Sequence, residues 1–450
     1  MANPRQTGFF DRVHPKSALI NIRERHELLL LSDVMPWPEM LESAVNIRLS
    51  QVKSFSGPEP HYRELLGAVT LMAVKNITFR EAEDLIAHYA PARYLCGLMD
   101  STWQPDHITI FEFTKMLGPA GMEMINKVII LNAQSIGILD SDRLMSDTTA
   151  QEAKIPYPNE VGLMKRFADL VGKNLKHASG KFGKVKSKMK EIAGKVKGLA
   201  RSSHLFAKTK EEKKKVGRKL YHVTKELNDL LKGCVEAGYG GRTKAALELK
   251  RLSSVMEKLL PQILFFMNTG FVAAKKLIHL QAPELYAIVR GKAGKSVEFG
   301  LKWGINRVDG FVLGFLINNG TNSSDQKFCI QAIKEHQALF SKAPKTFGFD
   351  RGGYSEANIK KAKKLGVKHV GIAPTGKAKW SVSETKAEEI KRERAQVEAS
   401  IGCAKSRKYG FNKPDAKSTR SMETYGHRAF LGMNLMKTLR ELVALELQAI

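Results

Sequence analysis

Cysteine is scarce in this chain, and its spacing offers none of the usual cysteine-based sites. The four cysteines are spread from Cys96 to Cys403, and no CxxC pair occurs among them. We therefore do not expect a zinc site. A disulfide framework is not expected either, because a chain of 450 residues can build a hydrophobic core instead. Isolated thiols are typical of proteins in a reducing cytoplasm.

Long apolar runs are also lacking. The N-terminal segment MANPRQTGFFDRVHPKS has no apolar stretch of the kind that a secretory signal requires. The most apolar stretch, residues 259–274, is interrupted by Pro261, Gln262 and Asn268 and is too short to cross a bilayer. The sequence thus predicts no membrane partner, and we expect residues 259–274 to form a buried pair of helices.

Acidic residues are few compared with basic ones. The chain has 73 Lys and Arg against 45 Asp and Glu, which gives a net charge of +28 and a pI of about 9.8. Its hydrophobic content of 43% is ordinary for a folded protein, so the charge is the unusual property. Such a field attracts polyanions and is typical of nucleic-acid-binding proteins. A ribosome-associated or membrane-surface protein is the alternative that charge alone leaves open.

The positive charge is concentrated in one block. Residues 171–220 hold 17 basic and three acidic residues, so half of the net charge lies in one ninth of the chain. Lys184, Lys188 and Lys195 recur there together with apolar residues at near-helical spacing, which predicts an amphipathic basic helix. Several glycines in the block weaken that prediction. The lysine face predicts contacts with DNA phosphates, and a merely solvated helix face is the alternative.

Apolar periodicity predicts an α/β protein whose sheet is interrupted by helices. Residues 1–138 show helical spacing and predict an N-terminal helical domain that serves either DNA binding with end recognition or packing alone. A strand is predicted to run through 135–150, and a basic helical insertion follows over 161–284. From residue 285 onward, alternation predicts antiparallel strands and then alternating helices and strands. The predicted catalytic core therefore combines 139–160 with 285–410, and 411–450 forms a C-terminal helical segment.

Three acids stand at positions where a folded core can present them. Asp147 (in LMSDTTAQE) is predicted near the end of the first core strand, and Asp350 (in FGFDRGGYS) at the end of the fourth. Strand ends of one sheet can be neighbours, although these two aspartates are 203 positions apart. Glu398 lies on the long closing helix. Three converging carboxylates can hold Mg²⁺, and two such ions can promote phosphodiester cleavage.

The closing helix carries cations around its glutamate. Arg394 lies four residues before Glu398, Lys405 seven after it and Lys391 seven before it, so a helix places all four on one face. On this face the carboxylate would hold metal, and the cations would hold phosphate. An adjacent apolar stripe is predicted to pack on the sheet: Val397, Ile401 and Ala404.

Other residues offer alternatives at this stage. Asp140 or Asp142 could replace Asp147 as the ligand, since all three lie in one short segment. Trp380 could stack on an exposed base or simply pack. Lysines of the RGKAGK turn are candidates for contacts with the DNA backbone: Lys292 and Lys295. The glutamates near Glu398 lack its arginine and lysine offsets and are predicted to be solvated: Glu388, Glu389 and Glu393.

The pattern R-x3-E-x6-K formed by Arg394, Glu398 and Lys405 resembles the last part of the Y-R-E-K motif of bacterial insertion-sequence transposases of the DDE type. The segment from DTT to IPYPNE is similar to the surroundings of their first acid, and GFDRGGYS to those of the second. RGKAGKSVEFG, the N-terminal PDH element and the closing HRAFLGMNLMKTLRELV are similar too, so the resemblance covers nearly the whole chain. It departs at the tyrosine position, which is Lys391 here.

The resemblance implies a ribonuclease H-like mixed sheet core in which Asp147, Asp350 and Glu398 bind two Mg²⁺ or Mn²⁺ ions. It implies hydrolysis at the ends of a mobile element and attack of the freed 3′-hydroxyl on target DNA, with Arg394 and Lys405 near the reacting ends. The implied partners are the terminal inverted repeats, target double-stranded DNA and a second copy of the chain. The implied location is the bacterial cytoplasm, at the nucleoid. An inactive or domesticated DNA-binding protein of this fold, and a nuclease without strand transfer, are the alternatives.

Overall fold

The fold combines a bundle of N-terminal helices, a mixed sheet and a second group of long helices. The computed structural model describes residues 26–52, 60–177, 183–238, 243–289, 297–317, 324–376 and 378–448. Within these residues the chain forms 14 α-helices and six strands. It divides into two units: the first comprises Met1–Gln151, Lys302–Ala416 and Arg420–Ile450, and the second Glu152–Leu301 and Lys417–Thr419.

The first unit begins with six helices that enclose an apolar core. Thr78 and Glu81 form a capping box at the start of the fourth helix, and Asp106 caps the sixth by accepting the backbone N–H of Thr109 at 2.7 Å. The predicted helical character of this region is confirmed for the residues described. The helices are α1 (Glu27–Val34), α2 (Trp37–Leu49), α3 (Tyr62–Lys75), α4 (Phe79–His88), α5 (Ala90–Leu95) and α6 (His107–Ser135).

A mixed sheet follows these helices. Its strands are β1 (Arg143–Glu152), β2 (Tyr286–Val289), β3 (Val297–Val308), β4 (Phe311–Ile317), β5 (Thr346–Phe349) and β6 (His369–Ile372). The order is β2-β3-β1-β5-β6, with β4 paired to β3. β1, β5 and β6 run parallel to one another, whereas β3 is antiparallel to β2 and β4. The predicted α/β class is therefore confirmed.

Helices cover the sheet in the first unit because its strands are apolar on their inner positions. All four residues of β5 are buried, as are six of the seven in β4. The helices that follow the strands are α11 (Asp325–Phe340), α12 (Glu356–Lys364), α13 (Glu384–Lys405) and α14 (Thr419–Gln448). Asn434 of α14 is fully buried and donates to Asn126 of α6 and to the carbonyl of Val312 in β4, both at 2.8 Å. These satisfied polar contacts join helices and sheet within this unit.

One predicted boundary was wrong. The first strand was expected to run through 135–150, but α6 continues to Ser135 and β1 begins only at Arg143. The intervening Ile138 and Leu139 are buried in a turn rather than in a strand. A short apolar run has the same composition in a strand and in a buried loop, so periodicity could not separate them.

The second unit is built from four long helices around a shared apolar core: α7 (Glu160–His177), α8 (Gly183–Leu205), α9 (Lys210–Glu236) and α10 (Lys244–Thr269). The amphipathic helix predicted in the basic block is confirmed as α8. Met189, Ile192 and Val196 are buried in the core, while Lys188 and Lys195 are exposed. The lysines stay on the solvent side because only the apolar stripe enters the core.

The buried helix pair predicted for residues 259–274 was wrong. A single helix, α10, continues past Pro261 to Thr269 and ends at Gly270, whose φ of +77° suits a glycine. Phe271 is 74% exposed and Val272 63% exposed. An apolar run does not by itself determine burial, because burial depends on which neighbouring elements the fold supplies. Among the described helices, none is both long enough and apolar enough to cross a membrane.

Candidate active site around Asp147 and Asp350

The register of two parallel strands sets the relation of the two aspartates. Arg143 of β1 is level with Thr346 of β5, and Met145 is level with Gly348. The same offset continued along the strand places Asp147 level with Asp350, the residue directly after β5. Asp147 lies at the middle of β1 rather than near its end, where the sequence had placed it. The prediction that the two acids are neighbours across the sheet agrees with this register.

Two glycines allow helix α13 to lie close to the sheet. Gly348 and Gly371 are paired across β5 and β6. A Cβ on Gly348 would lie 2.4 Å from Sδ of Met145, and one on Gly371 would lie 2.4 Å from Cδ1 of Ile390 in α13. The Cγ of Arg394 would be 3.4 Å from the same added Cβ on Gly348. The bare backbone at these glycines therefore lets α13 pack closely on the sheet, and the stem of Arg394 lies against Gly348, two residues before Asp350.

The charges of two other acids act on Asp147. Burial is the main reason why the pKa of Asp147 is raised to about 6, and the charges of Asp350 and Glu398 raise it further. Arg394 opposes the shift, as does the backbone N–H of Thr148, which donates to Oδ1 of Asp147 at 2.6 Å. The carboxylates are therefore close enough to repel one another, and one arginine offsets part of that repulsion.

Asp350 has a similar environment. Its pKa is raised mainly by burial and then by the charge of Asp325, while Arg394 and nearby backbone N–H groups lower it. The N–H of Gly352 donates to Oδ1 of Asp350 at 3.0 Å. Asp350 also caps the short 3₁₀ turn Arg351–Gly353. Arg394 thus acts electrostatically on both aspartates, which is what a central cation in a carboxylate cluster would do.

Asp325 is a fourth acid of this site, and the sequence analysis missed it. Its Oδ1 accepts the hydroxyl of Thr148 at 3.1 Å and Nζ of Lys302 at 2.8 Å. A Cβ on Gly352 would lie only 2.6 Å from Oδ2 of Asp325. Asp325 therefore contacts the residue that follows Asp147 and packs against the glycine that binds Asp350. In the fold it is the first residue of α11.

Glu398 occupies the exposed side of α13. An adjacent side of the helix is buried through Ile390, Val397 and Ala404. The predicted docking of an apolar stripe is confirmed for Val397 and Ala404, whereas Ile401 is only half-buried. Glu398 reaches Asp147 electrostatically.

Four of the alternative acids have cationic partners, whereas Asp140 accepts the backbone N–H of Asp142 at 2.9 Å. Asp142 lies 3.0 Å from Nζ of Lys342 and 2.5 Å from Nζ of Lys345, and these lysines lower its pKa. Glu393 lies 3.3 Å from Arg143. The remaining pairs join Glu389 to Lys386 at 2.8 Å and Glu388 to Lys391 at 2.5 Å. Their ion pairs fit structural roles better than metal binding.

The predicted DNA-binding cations fall into three groups. Lys391 is exposed and paired with Glu388. Its Nζ also lies 5.6 Å from the ring centroid of Trp380, so the side chains of Lys391 and Trp380 contact each other. Lys405 is half-buried in the last turn of α13. Lys188 and Lys195 are exposed on α8 in the second unit, where Lys195 also pairs with Glu191 at 2.7 Å. Outside the described residues lie the side chain of Lys184, and Lys292 and Lys295.

The donor set fits a hard divalent cation only in part. Carboxylate oxygens are the ligands that Mg²⁺ prefers, and a cation would offset both the burial and the repulsion that raise the pKa of Asp147. Over the portion of the chain that the structure describes, however, no three His, Cys, Asp or Glu side chains are grouped closely enough to hold an ion. Asp147 and Asp350 form the adjacent pair, and Glu398 would have to approach them.

Residues 17–116 match a family model described as a transposase domain (DUF772). The described part of this match spans α1 to the first turns of α6. Searches of curated proteins and of solved structures found no match.

Proposed function

We propose that this chain cleaves DNA at a metal-dependent site of the DDE type. The match at residues 17–116 supports a transposase of the insertion-sequence type. The observation that carries the proposal is the register that sets Asp147 level with Asp350, where the charge of Arg394 acts on both. Asp147, Asp350 and Glu398 are the catalytic acids. A transposase implies DNA as a partner, and the net charge of +28 suits that partner.

The two aspartates would hold a divalent cation, and Glu398 would complete the ligand set from α13. Two Mg²⁺ or Mn²⁺ ions would supply activation of the attacking oxygen and stabilisation of the leaving oxygen. Arg394 opposes the rise in the pKa values of both aspartates. It also offers a planar group of donors for a phosphate next to the acids. The chemistry would be hydrolysis at the element ends, followed by attack of the 3′-hydroxyl on target DNA.

The sheet supports a ribonuclease H-like core as part of this proposal. Antiparallel β3 and β4, joined to parallel β1, β5 and β6, form a mixed sheet with helices after the later strands. We assign end recognition to the N-terminal helices, and contacts with DNA phosphates to the basic face of α8. The DNA would comprise the terminal inverted repeats and the target, held by a homodimer. The protein would act in the bacterial cytoplasm, at the nucleoid.

Amide substitutions test the proposal. Asp147→Asn, Asp350→Asn and Glu398→Gln should each abolish Mg²⁺-dependent cleavage of DNA that carries the element ends, because an amide binds a hard cation poorly. Binding of that DNA in an electrophoretic assay should persist. Asp142→Asn is the matched control, since this neighbouring aspartate is paired with lysines, and it should remain active.

Full cleavage by all three variants would refute the proposed site. Providing donor and target DNA together then separates a transposase from a nuclease of the same fold, since only the transposase yields joined products. Specific binding by the wild-type protein without any metal-dependent cleavage would identify a non-catalytic DNA-binding protein.

A further inference from the structure

A cleft in the second unit is lined by cations and by an exposed aromatic ring. It has a volume of about 480 Å³ and lies between the segment before α7 and the chain after α10. Its lining includes Lys154, Tyr157, Lys165, Arg166 and His279. Lys154, Lys165 and Arg166 are exposed at their side chains. Asp169 also lines the cleft but is paired with Lys197 at 2.8 Å. The cleft is therefore open to solvent and carries net positive charge.

The ring of Tyr157 is exposed, but its backbone is fixed. The ring is 76% exposed and stands edge-on to Phe299, with 5.6 Å between ring centroids. Pro156 and Pro158 flank it, which restricts the backbone on both sides. The carbonyl of Tyr157 accepts the N–H of Asn159 at 2.9 Å.

The residues after Tyr157 anchor this segment to the helices of the unit. Asn159 accepts the N–H of Gly162 at 2.7 Å through its side chain, which caps the start of α7. Lys276 donates to the carbonyl of Pro158 at 3.2 Å and pairs with Glu160. A large aromatic surface is thus left in water on a rigid segment, although burial would have been the favourable outcome.

The polar groups of the cleft suit a nucleotide. Arg166 donates to Oε1 of Gln281 at 2.6 Å, which orients its guanidinium at the cleft wall. His279 accepts the N–H of Ala282 at Nδ1 over 3.1 Å, so its proton is on Nε2 and available as a donor. Burial, and then Arg166 and Arg251, lower the pKa of His279, which keeps it neutral. Cations for a phosphate and donors for a base edge therefore meet beside an aromatic face.

We propose that this cleft binds one unpaired nucleotide of DNA, with its base stacked on Tyr157 and its phosphate held by Lys165 and Arg166. The proposal rests on the proposed DNA-processing function and names a part of the substrate. Single-stranded nucleic acid is bound elsewhere by the same combination of a cationic groove and an aromatic platform. A paired base could not use the platform, because both of its faces are covered in the duplex.

The test compares two fluorescein-labelled DNA duplexes of one sequence, one fully paired and one with a single unpaired adenosine, by fluorescence anisotropy with the full chain. Tyr157→Ala should weaken binding of the second duplex about tenfold, the typical loss of one stacking contact, and leave the paired duplex unaffected. Tyr157→Phe should retain binding of both. Phe206→Ala removes a ring that is 71% exposed in the same unit but does not line the cleft, and it should change neither.

An equal effect of Tyr157→Ala on both duplexes, or no effect on either, would overturn the inference. Thermal unfolding of each variant shows whether the fold is retained, and Tyr157→Phe supports the assignment even if Tyr157→Ala is less stable. These outcomes do not depend on cleavage. A wild-type protein that binds the unpaired duplex through Tyr157 but never cleaves DNA would contradict only the proposed function.

Discussion

Asp147 is held in the fold at an electrostatic cost. Its pKa is raised from an ordinary 3.8 to about 6, chiefly by burial. The folded protein therefore binds this proton more tightly than the unfolded chain, so stability falls as pH rises from about 4 to about 6 and stays lower above that. A residue kept at such a cost in a half-buried position is a candidate for function rather than for stability.

Asp147→Asn should make the metal-free protein more stable than wild type above pH 6, because the asparagine carries no charge to desolvate. The expected gain is about 2 kcal/mol after allowance for solvent screening, and it should vanish near pH 4. The N–H of Thr148 keeps an acceptor in the variant. Urea unfolding with EDTA present at both pH values measures the difference. Parallel pH profiles for the two proteins would contradict the assigned environment.

Asp325 shows how one side chain can set the positions of two others. It accepts a hydrogen bond from the hydroxyl of Thr148, the residue after Asp147. It also packs on Gly352, whose N–H donates to Asp350. Since outer partners of metal ligands typically change metal affinity by tenfold or more, Asp325→Ala should raise the Mg²⁺ concentration for half-maximal cleavage about tenfold.

Asp142→Ala is the control for Asp325→Ala, because Asp142 also pairs with lysine in the same unit. It should leave the Mg²⁺ requirement unchanged. A titration of cleavage rate against Mg²⁺ measures both variants. If the two variants shift the requirement equally, the effect is a general loss of surface ion pairs and not a loss of positioning.

At the level of elements, the sequence predicts the turns and helices that depend on a local pattern of residues. The turn between β3 and β4 follows from its Asp309–Gly310 pair, whose φ angles are +47° and +85°, and α13 follows from its amphipathic spacing. Asp325 could not be found in this way, because its partner Thr148 is 177 positions distant and the two meet only in the folded chain, one at the start of α11 and the other in β1. The start of β1 was missed because an apolar run alone does not distinguish a strand from a buried turn.

Helix α13 depends on Gly348 for its distance from the sheet. An added methyl group would meet Sδ of Met145 in β1 at 2.4 Å and Cγ2 of Ile390 in α13 at 3.0 Å, so Gly348→Ala must displace the Met145 side chain and also crowds the helix. Overpacking of this kind costs about 1–3 kcal/mol. Cleavage should fall further than stability alone explains, because α13 carries both Arg394 and Glu398. Chemical unfolding and cleavage rates of the same variant preparation test this.

Gly402→Ala provides the matched control on the exposed side of α13, where an added Cβ meets nothing within 4 Å. Alanine is the better helix former, so this variant should gain about 0.5–1 kcal/mol and keep its activity. If both glycine substitutions act alike, the close approach at Gly348 is not what holds the helix in place.

On the scale of the whole molecule, charge is distributed unevenly. The acids of the candidate site lie in the first unit, while the block at 171–220 carries half of the net positive charge in the second. The lysines of α8 remain exposed because only its apolar stripe enters the helical core. Two kinds of lysine occur on this surface. Lys195 has an acidic partner one helical turn away, whereas no ion pair was found for Lys188 among the described residues.

Binding of DNA should therefore respond to salt according to which lysines are removed. Lys188→Gln combined with Lys190→Gln should lower the slope of log affinity against log salt by about two, since each phosphate contact contributes about one. Lys195→Gln combined with Lys225→Gln removes the same charge, but these lysines lie 2.7 Å from Glu191 and 2.9 Å from Asp229. Replacing these lysines leaves their acidic partners unpaired in addition to removing phosphate contacts. The slope should therefore fall less. Affinities measured over a salt series give both slopes, and equal, unchanged slopes in the two double variants would remove the basic face of α8 from the DNA interface.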